Sequence, residues 1–359
     1  MTKTGKIVFT LFFVLLIFGL IVLSSAGISD AQRKFDTPYY YLTHQLLFGL
    51  LPGLVLMFLF SKIPSAKWRA LALPLLIGTL GLMVLIYVPG LGVSIKGATR
   101  WLDLRFFTVQ PAEFLKFGLV IYLAAWFSRR RTGKSAIPFF IILAITAALL
   151  VLQPDFGTLV IVIMISVAIY FFSGAKLTHF AGLIGLFFIA LLVLSFAAPY
   201  RFNRIKTFFN QQDDLQTTGY HINQAKIAIG SGGLFGVGYG QSRQKAGFLP
   251  ESVGDSIFAI LAEELGFVGA GAFLALFAAF IFFLMRLAMQ SHDSFSRLVL
   301  LGIAVWIGGQ AFVNIAAISG LIPLTGVPLP LVSYGSSSLV SIMGAMGVAK
   351  ACSQYINIA

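Results

Sequence analysis

Residues 7–23 read IVFTLFFVLLIFGLIVL, an almost entirely apolar run that follows Lys3 and Lys6. A basic start and an apolar stretch also mark a cleaved signal peptide, but its apolar core is only about 7–15 residues long. Because this run is longer, we predict an uncleaved signal anchor. Together with its flanking residues, a helix of this length crosses a hydrocarbon layer about 30 Å thick at about 1.5 Å per residue.

The composition of the whole chain indicates that the membrane contains much more of it than this first segment. Of its 359 residues, 58% are hydrophobic and only 10% are charged, whereas a soluble surface needs about a quarter of its residues charged. The mean hydropathy is +0.94. We therefore predict a polytopic membrane protein. The single cysteine, Cys352, and the four scattered histidines exclude a disulfide framework and a Cys/His metal cluster.

Further apolar runs along the chain predict an all-α fold in which residues 1–359 form a single integral membrane domain. Ten transmembrane helices are expected at about 7–27, 38–60, 70–90, 109–128, 136–152, 157–173, 178–198, 255–285, 298–319 and 334–350. Each is long enough to cross the bilayer.

The basic residues indicate the orientation of these helices. They concentrate in the short connections on the side of the N-terminus, for example at Lys62, Arg69, Arg129 and Arg286, as is typical of cytoplasmic loops. With ten spans, both termini are then cytoplasmic, and a large extracytoplasmic loop of about 199–254 connects helices 7 and 8. The net charge of +13 is therefore a signal of topology, and nucleic-acid binding is not needed to explain it.

Ionisable residues inside the predicted spans need an explanation, because a charge at mid-bilayer costs about 2.5–3.5 kcal/mol or more. Glu113 and Lys116 stand three residues apart, so they share a helix face. They form either a structural ion pair or the wall of a hydrated cavity that positions an anionic substrate. Asp155 follows Pro154 between two spans, where it either caps the next helix or belongs to a site.

The eighth span carries a denser acidic group. Asp255 and Glu263 are eight residues apart and share a helix face, with Glu263 about 12 Å deeper. Asp255 could be an N-cap. Glu263 and Glu264 lie too far inside the helix for that role, so they require basic partners, for which Lys116 and the arginines of the outer loops are candidates.

The outer loop before this span contains two further features. Residues 220–229 are typical of a short amphipathic helix, and residues 230–240 read GSGGLFGVGYG. This run lacks a nucleotide-binding pattern, so it indicates backbone close to a ligand, tight turns, or plain loop flexibility. Arg243 and Lys245 follow it.

Between the ninth and tenth spans, residues 322–330 read IPLTGVPLP and are followed by Ser333 and Tyr334. Three prolines exclude a regular helix there, and irregular backbone at this depth must face protein or water. Either packing or a site explains this segment.

These segments together resemble the SEDS family (shape, elongation, division and sporulation), which includes RodA and FtsW, and the elongation (RodA) branch is favoured. The matching residues run in order along nearly the whole chain: Arg100-Trp101, Gln110-Pro111-Ala112-Glu113 with Lys116, Gln153-Pro154-Asp155-Phe156-Gly157, Gln224-Ala225, Gly232-Gly233, Leu249-Pro250, Asp255, Glu263-Glu264-Leu265-Gly266, Asn314, Pro323, Thr325-Gly326 and Ser333-Tyr334-Gly335.

The chain departs from the family pattern at two places. The family usually reads H-T-D-F around the aspartate, where this chain has Val253-Gly254-Asp255-Ser256. Ser256 thus replaces a bulky residue next to Asp255. Ser336 replaces the second glycine of the family's S-Y-G-G-S-S. Neither change removes an ionisable group.

The resemblance implies a peptidoglycan glycosyltransferase of the bacterial cytoplasmic (inner) membrane. Its substrate would be lipid II, an undecaprenyl-pyrophosphate-linked disaccharide-pentapeptide, polymerised onto a growing glycan strand during cell elongation. A class B penicillin-binding protein (a transpeptidase) and other membrane proteins of the elongation machinery are the implied partners.

With this chemistry in view, we hypothesise that Asp255 is the general base that accepts the proton of the acceptor hydroxyl. The cationic groups that could bind the pyrophosphate are Arg100, Lys116, Arg243 and Lys245. The other candidate substrate-binding residues are Glu113, Asp155, Glu263, Glu264, Ser333 and Tyr334. A divalent cation, Mg²⁺ or Mn²⁺, is a candidate aid to the leaving group, although the sequence provides no ligand set for it.

Two other classes of protein use some of the same features. A lipid II flippase or another transporter would use embedded charges to move the head group, although the chain shows no convincing internal repeat. A non-catalytic scaffold for a transpeptidase would need no embedded carboxylates that face a cavity.

Overall fold

The structure is a computed structural model that describes residues 2–95, 98–105, 107–129, 137–174 and 218–354. These residues form α1 (Lys3–Ala26), α2 (Ile28–Phe35), α3 (Tyr40–Gln45), α4 (Leu51–Lys62), α5 (Ser65–Leu85), α6 (Pro111–Ser128), α7 (Ile137–Leu152), α8 (Phe156–Phe172), α9 (Thr218–Ser231), α10 (Ile257–Met289), α11 (Ser294–Ile318) and α12 (Ser336–Gln354). A π-helical turn, Leu46–Leu50, joins α3 to α4.

Helices occupy the predicted spans wherever the structure describes them. Five are long and apolar enough to cross a membrane by length and composition: α1, the continuous Tyr40–Lys62 segment, α5, α10 and α11. The chain is thus a polytopic α-helical membrane protein. The predicted seventh span, 178–198, and the first part of the predicted loop, 199–217, lie outside the described residues. The ten-span topology and the cytoplasmic termini stay predictions.

Helices α5 and α2 both differ from the sequence prediction. The third span was expected at 70–90, but α5 covers Ser65–Leu85, since Pro64 fixes an extended residue just before it and permits a helix from Ser65 onward. The amphipathic helix α2 was not predicted.

A small antiparallel sheet was also not predicted. Its strands β1 (Gly92–Ile95), β2 (Ala98–Asp103) and β3 (Thr108–Val109) pair in the order β1-β2-β3, with Val93 opposite Trp101. Strands of two to six residues are too short for a clear alternation of apolar and polar side chains, which explains why the sequence did not reveal them.

Helix α11 lies at the centre of the described bundle. It packs against α6, α8, α10 and α12, and its Trp306 side chain is fully buried. Within its most apolar stretch, 72% of the residues are buried, compared with 22–44% in the other four long spans. Polar side chains on α11 therefore face protein. They are available to form hydrogen bonds with the loops that pack against this helix.

Helix α10 differs from its prediction in two ways. It begins at Ile257 instead of residue 255, and its backbone is broken at Gly266, where φ is 68° and ψ is −172°. Such a φ is readily adopted only by glycine. The break divides α10 into a short outer segment that carries the acidic pair and a long segment that continues through the bundle.

Candidate active site

Asp255 lies in the tight turn that precedes α10. The amides of Gly254 and Ser256 both donate to the carbonyl oxygen of Glu251, at 2.9 and 3.2 Å. The Asp255 side chain is 16% exposed, so it is mostly enclosed and only partly accessible.

Three consecutive carbonyl groups of this turn are held by neighbouring segments. The Tyr334 amide donates to the Val253 carbonyl at 2.8 Å, and the Ser333 hydroxyl donates to the Gly254 carbonyl at 2.5 Å. The Asp255 carbonyl accepts from Asn314 Nδ2 at 2.8 Å. The backbone that carries the carboxylate is therefore fixed by α11 and by the segment before α12.

Asn314 is the residue of this arrangement that the site prediction omitted. Its Nδ2 also donates to the Val327 carbonyl at 2.7 Å, so a single side chain links the Asp255 turn to the proline-rich segment. Asn314 is 2% exposed and stands in the predominantly apolar second half of α11. A buried amide in such a helix needs hydrogen-bond partners, and that was the signal available in the sequence.

The alternative in which Asp255 caps α10 is wrong. The N-cap residue is Ser256, and its side chain makes no capping hydrogen bond. Its hydroxyl instead donates to the Pro250 carbonyl at 2.8 Å and lies 2.5 Å from Nε2 of His221 on α9. The same histidine nitrogen is 4.0 Å from Asp255 Oδ1.

Glu264 belongs to a buried cluster below this turn. It accepts from Lys245 Nζ at 2.7 Å and from the Ser25 hydroxyl at 2.7 Å, and Lys245 Nζ also donates to the Ser25 hydroxyl at 2.8 Å. Both charged side chains are at most 6% exposed. The predicted need for a basic partner is confirmed for Glu264, but the partner is Lys245 and neither Lys116 nor an arginine of the outer loops.

Glu263 is held by the loop itself. It accepts from the Ser242 hydroxyl at 2.5 Å and from the backbone amide of Arg243 at 3.0 Å. The Arg243 side chain is exposed. The two neighbouring acids therefore anchor the segment 242–245 onto α10, and Arg243 is left on the surface of this anchored segment.

The glycine run approaches the break in α10 very closely. The amides of Val237 and Gly238 donate to the carbonyls of Glu263 and Glu264 at 3.0 and 3.1 Å, and the Phe267 amide donates to the Gly233 carbonyl at 2.9 Å. A Cβ on Gly236 would clash with the Glu264 carbonyl oxygen. The glycines thus permit backbone to pack on backbone, and this excludes plain loop flexibility as their explanation.

Glu113 and Lys116 form the internal ion pair that was one of the two alternatives. Lys116 Nζ lies 2.7 Å from Glu113 Oε1 and 2.7 Å from Gln310 Oε1 on α11. The Gln310 amide in turn donates to the Pro328 carbonyl at 3.0 Å. With side chains at most 2% exposed, the pair links α6 to α11 and to the proline-rich segment.

Arg100 and Asp155 organise the connection between α7 and α8. Arg100 Nε donates to the Gln153 carbonyl at 3.0 Å, and its guanidinium also bonds the Pro154 carbonyl. Asp155 is the N-cap of α8 and accepts from the Thr158 amide at 3.2 Å. The capping interpretation of Asp155 is confirmed, while substrate binding by Arg100 and Asp155 stays a prediction.

Tyr334 lies at the edge of the Asp255 turn, against an aromatic group from α3. Its hydroxyl is 3.0 Å from His44 Nδ1, and its ring makes an edge contact with Tyr41 at a centroid distance of 4.9 Å. Ser333 is buried between the Gly254 carbonyl and the Leu329 amide, which donates to it at 2.8 Å. Both residues support the turn.

The described residues do not supply a metal site of their own. Among them, no group of three or more His, Cys, Asp and Glu side chains is arranged to hold a metal ion. The acids nearest to Asp255 in sequence within α10, Glu263 and Glu264, are saturated by Ser242, Ser25 and Lys245. A divalent cation that assists the leaving group stays a prediction, and no chemical step is derived through it.

Comparison with known proteins identifies the family. The family model of FtsW, RodA and SpoVE, described as "Cell cycle protein", matches residues 6–357. The chain belongs to this family. The membership confirms the predicted SEDS resemblance and the localisation in the cytoplasmic membrane as a multi-pass protein.

Curated relatives of this family are similar along nearly their entire length. The chain is 38% identical to stage V sporulation protein E of Bacillus subtilis, over 95% of this chain and 94% of that protein. It is 37% identical to the probable peptidoglycan glycosyltransferase FtsW of Trichlorobacter lovleyi, over 92% and 88%. These names confirm the predicted enzyme class.

Two solved structures share the fold. One, described as the structural coordination of polymerization and crosslinking by a peptidoglycan synthase complex, has a TM-score of 0.78 at 28% identity and covers 96% of this chain and 98% of that chain. The crystal structure of the rod shape determining protein RodA of Thermus thermophilus has a TM-score of 0.73 at 28% identity, over 98% and 97%. The relatives thus come from several branches of the family.

Proposed function

We propose that this SEDS protein polymerises lipid II into glycan strands at the outer face of the cytoplasmic membrane, with Asp255 as the general base. The proposal rests mainly on the structure of the turn that contains Asp255. A partly exposed carboxylate is mounted on backbone whose carbonyls are held by Asn314, Ser333 and Tyr334. Rigid mounting is what a proton acceptor requires, because its efficiency depends on its geometry toward the reacting hydroxyl.

The reaction assigned to this site is a glycosyl transfer. A sugar hydroxyl of the acceptor lipid II attacks the anomeric carbon of the growing strand and forms the new glycosidic bond. The bond between that carbon and the pyrophosphate oxygen breaks, and its electron pair leaves with the undecaprenyl pyrophosphate. The proton of the attacking hydroxyl passes to the Asp255 carboxylate.

The departing pyrophosphate requires a cation, and the four predicted cations differ in their surroundings. Lys116 and Lys245 are buried and paired with glutamates at 2.7 Å, and Arg100 holds two backbone carbonyls. Arg243 has an exposed side chain on a segment anchored to α10. We therefore assign contact with the pyrophosphate to Arg243. Arg100, Lys116 and Lys245 have structural roles through the contacts described above.

The role in elongation and the partners rest on the resemblance. The RodA branch is proposed from the sequence motifs, and the similarity to a RodA crystal structure supports it, while the curated relatives carry the names FtsW and SpoVE. A class B penicillin-binding protein is the proposed partner, supported by the similarity to a chain from a peptidoglycan synthase complex. The ten-span topology with both termini in the cytoplasm is part of the same proposal, since it places the Asp255 turn outside.

The proposal predicts that Asp255→Asn abolishes polymerisation by the purified protein. The amide keeps the shape of the carboxylate but cannot accept the proton, and loss of a general base typically costs about 10²–10⁴-fold in rate. Glycan formation from labelled lipid II in liposomes is the measurement. Glu251→Gln is the matched control, because Glu251 is an exposed acid in the same turn.

The same assay separates the alternatives. Translocation of lipid II across the liposome membrane without polymer would identify a flippase, and neither product would indicate a scaffold. Normal polymerisation by Asp255→Asn protein would exclude Asp255 as the base.

A further inference from the structure

A histidine from the outer-loop helix lies directly beside the Asp255 carboxylate. His221 is on the first turn of α9, and its Nε2 is 2.5 Å from the Ser256 hydroxyl oxygen and 4.0 Å from Asp255 Oδ1. The His221 side chain is 13% exposed, and Ser256 is fully buried. The imidazole is therefore enclosed against the turn that carries the carboxylate.

The hydrogen bonds of Ser256 determine which histidine nitrogen carries a proton. A serine hydroxyl has a single proton, and Ser256 donates it to the Pro250 carbonyl at 2.8 Å. Toward His221 the Ser256 oxygen is thus an acceptor, so Nε2 of His221 is the donor. The imidazole consequently directs an N–H group toward the space shared by Ser256 Oγ and Asp255 Oδ1.

The two oxygens of Asp255 have different surroundings. Oδ1, the oxygen nearest His221, is buried, although the side chain as a whole is 16% exposed. Because Oδ1 is enclosed on the side of His221, we place the acceptor hydroxyl on the Oδ2 side of the carboxylate.

We propose that His221 is a positioning residue for Asp255. Through its hydrogen bond to Ser256, the Nε2–H group stands on the Oδ1 side of the carboxylate and directs Oδ2 toward the acceptor hydroxyl. The 4.0 Å separation is long for a hydrogen bond, but such contacts commonly shorten when substrate binds. The inference rests on the proposed function of Asp255.

This proposal also explains the departure at position 256. A bulky apolar residue there, as in the usual family pattern, could not accept a hydrogen bond from His221. Ser256 can, and its second hydrogen bond to Pro250 fixes the direction of that acceptor. In this chain, Ser256 and His221 are thus two parts of one support for the carboxylate.

The test is the rate of lipid II polymerisation by the purified full-length protein in liposomes, measured as kcat and KM. His221→Phe removes the N–H donor and should lower kcat about 10- to 100-fold with little change in KM, since misplaced reacting groups cost rates of this order. His221→Gln places an amide N–H at a similar reach and should retain most of the activity. Asn223→Ala, an exposed position on α9, is the control and should leave both constants unchanged.

A second set of variants tests the hydrogen bond between His221 and Ser256. Ser256→Ala should lower kcat in the same direction as His221→Phe, and the double variant should be about as slow as the slower single variant, because both remove one shared hydrogen bond. If His221→Phe does not fold, as judged by its thermal unfolding in detergent, His221→Gln and Ser256→Ala carry the test alone.

Three outcomes would overturn the inference. They are a normal kcat for His221→Phe, a kcat of His221→Gln as low as that of His221→Phe, or an effect of His221→Phe on KM alone. Asp255→Asn is measured in the same experiment. If it is inactive while His221→Phe is normal, only the positioning role fails. If Asp255→Asn is fully active, the proposed function itself fails.

Discussion

Asp255 and Glu264 lie at the outer end of α10, but their side chains have contrasting surroundings. Glu264 is 2.7 Å from Lys245 and is 3% exposed, so its charge is neutralised inside the protein. Asp255 is 16% exposed, and among the described residues His221 Nε2 lies 4.0 Å from its Oδ1. The hydrogen bonds described for Glu264 are made to its side chain, whereas those described around Asp255 fix the backbone of its turn.

This difference separates carboxylates that stabilise the fold from a carboxylate that can take part in a reaction. A buried carboxylate that is paired and hydrogen-bonded cannot readily exchange a proton or accept a new partner, since breaking the pair leaves an uncompensated charge. A partly exposed carboxylate on a rigid backbone can do both. The Glu113–Lys116 pair follows the first pattern, so embedded charge by itself does not mark the catalytic centre of this protein.

Replacing Lys245 with Met is the strongest challenge to this comparison. The change leaves Glu264 buried beside Ser25 without its cation, and removing one partner of a buried ion pair costs about 3–5 kcal/mol. We expect a clearly lower temperature of thermal unfolding in detergent and a low yield of folded protein. Arg243→Met, two residues earlier and exposed, should leave the unfolding temperature unchanged.

The opposite outcome has a defined meaning. If Lys245→Met protein were as stable as wild type but failed to polymerise lipid II, Lys245 would be a substrate cation, as the sequence first suggested. The distinction between the two acidic groups would then be lost.

The glycine run provides the next test, because it holds the backbone around Glu264. Gly236 has φ of 82°, and a Cβ would clash with the Glu264 carbonyl oxygen, whereas Gly240 has φ of 80° with open space around it. Gly236→Ala should destabilise the protein by more than the cost of the positive φ alone, which is about 1–3 kcal/mol. Gly240→Ala is the matched control and should show only that smaller cost.

Thermal unfolding of the two glycine variants in the same detergent measures the difference. Equal destabilisation by Gly236→Ala and Gly240→Ala would mean that the close approach to α10 contributes nothing. The glycines would then serve only to turn the chain.

The fold could be predicted from the sequence to the extent that long apolar runs determine it. The runs behind α1, α6 and α11 gave helices close to the expected bounds, because about 20 apolar residues have few alternatives in a bilayer. The sheet β1–β3 was missed, since its strands are too short for a clear alternation of apolar and polar side chains. Helix α2 is amphipathic but has only eight residues, which is too short for a sequence pattern to stand out. Likewise, the break at Gly266 depends on contact with the distant glycine run, which no local pattern encodes.

The site was only partly predictable. Asp255 stood out because it precedes an apolar span, and the resemblance assigned it a role. The Glu113–Lys116 pair was one of the two sequence alternatives, because the two residues share a helix face. The pairing of Lys245 with Glu264 was not predictable, since the packing of the loop and α1 against α10 decides it. His221 and Asn314 reach the Asp255 turn from α9 and α11, so the partners of their hydrogen bonds could not be identified before the helices were placed.

The smallest expected effect concerns an ion pair at the other end of the bundle. Arg69 lies 2.6 Å from Asp293, and the two side chains are 30% and 35% exposed. Burial raises the pKa of Asp293, but hydrogen bonds from Ser296 and the charge of Arg69 outweigh it and hold the pKa below the usual value of 3.8. Since the folded-state pKa is lowered, the stabilisation is present above about pH 4 and is lost as the pH falls through the folded-state pKa.

Asp293→Asn isolates the charge of this pair, because asparagine is also a good N-cap and can still accept from the Ser296 amide that Asp293 caps at 3.0 Å. We expect a loss of about 0.5–1 kcal/mol at pH 7, the value of a partly exposed ion pair, and no loss once the pH is below the folded-state pKa. Thermal unfolding of wild type and variant across this pH range is the measurement. A loss of the size expected for Lys245→Met would show that partial exposure does not weaken a pair in this protein, and the contrast between its enclosed and accessible charges would need another cause.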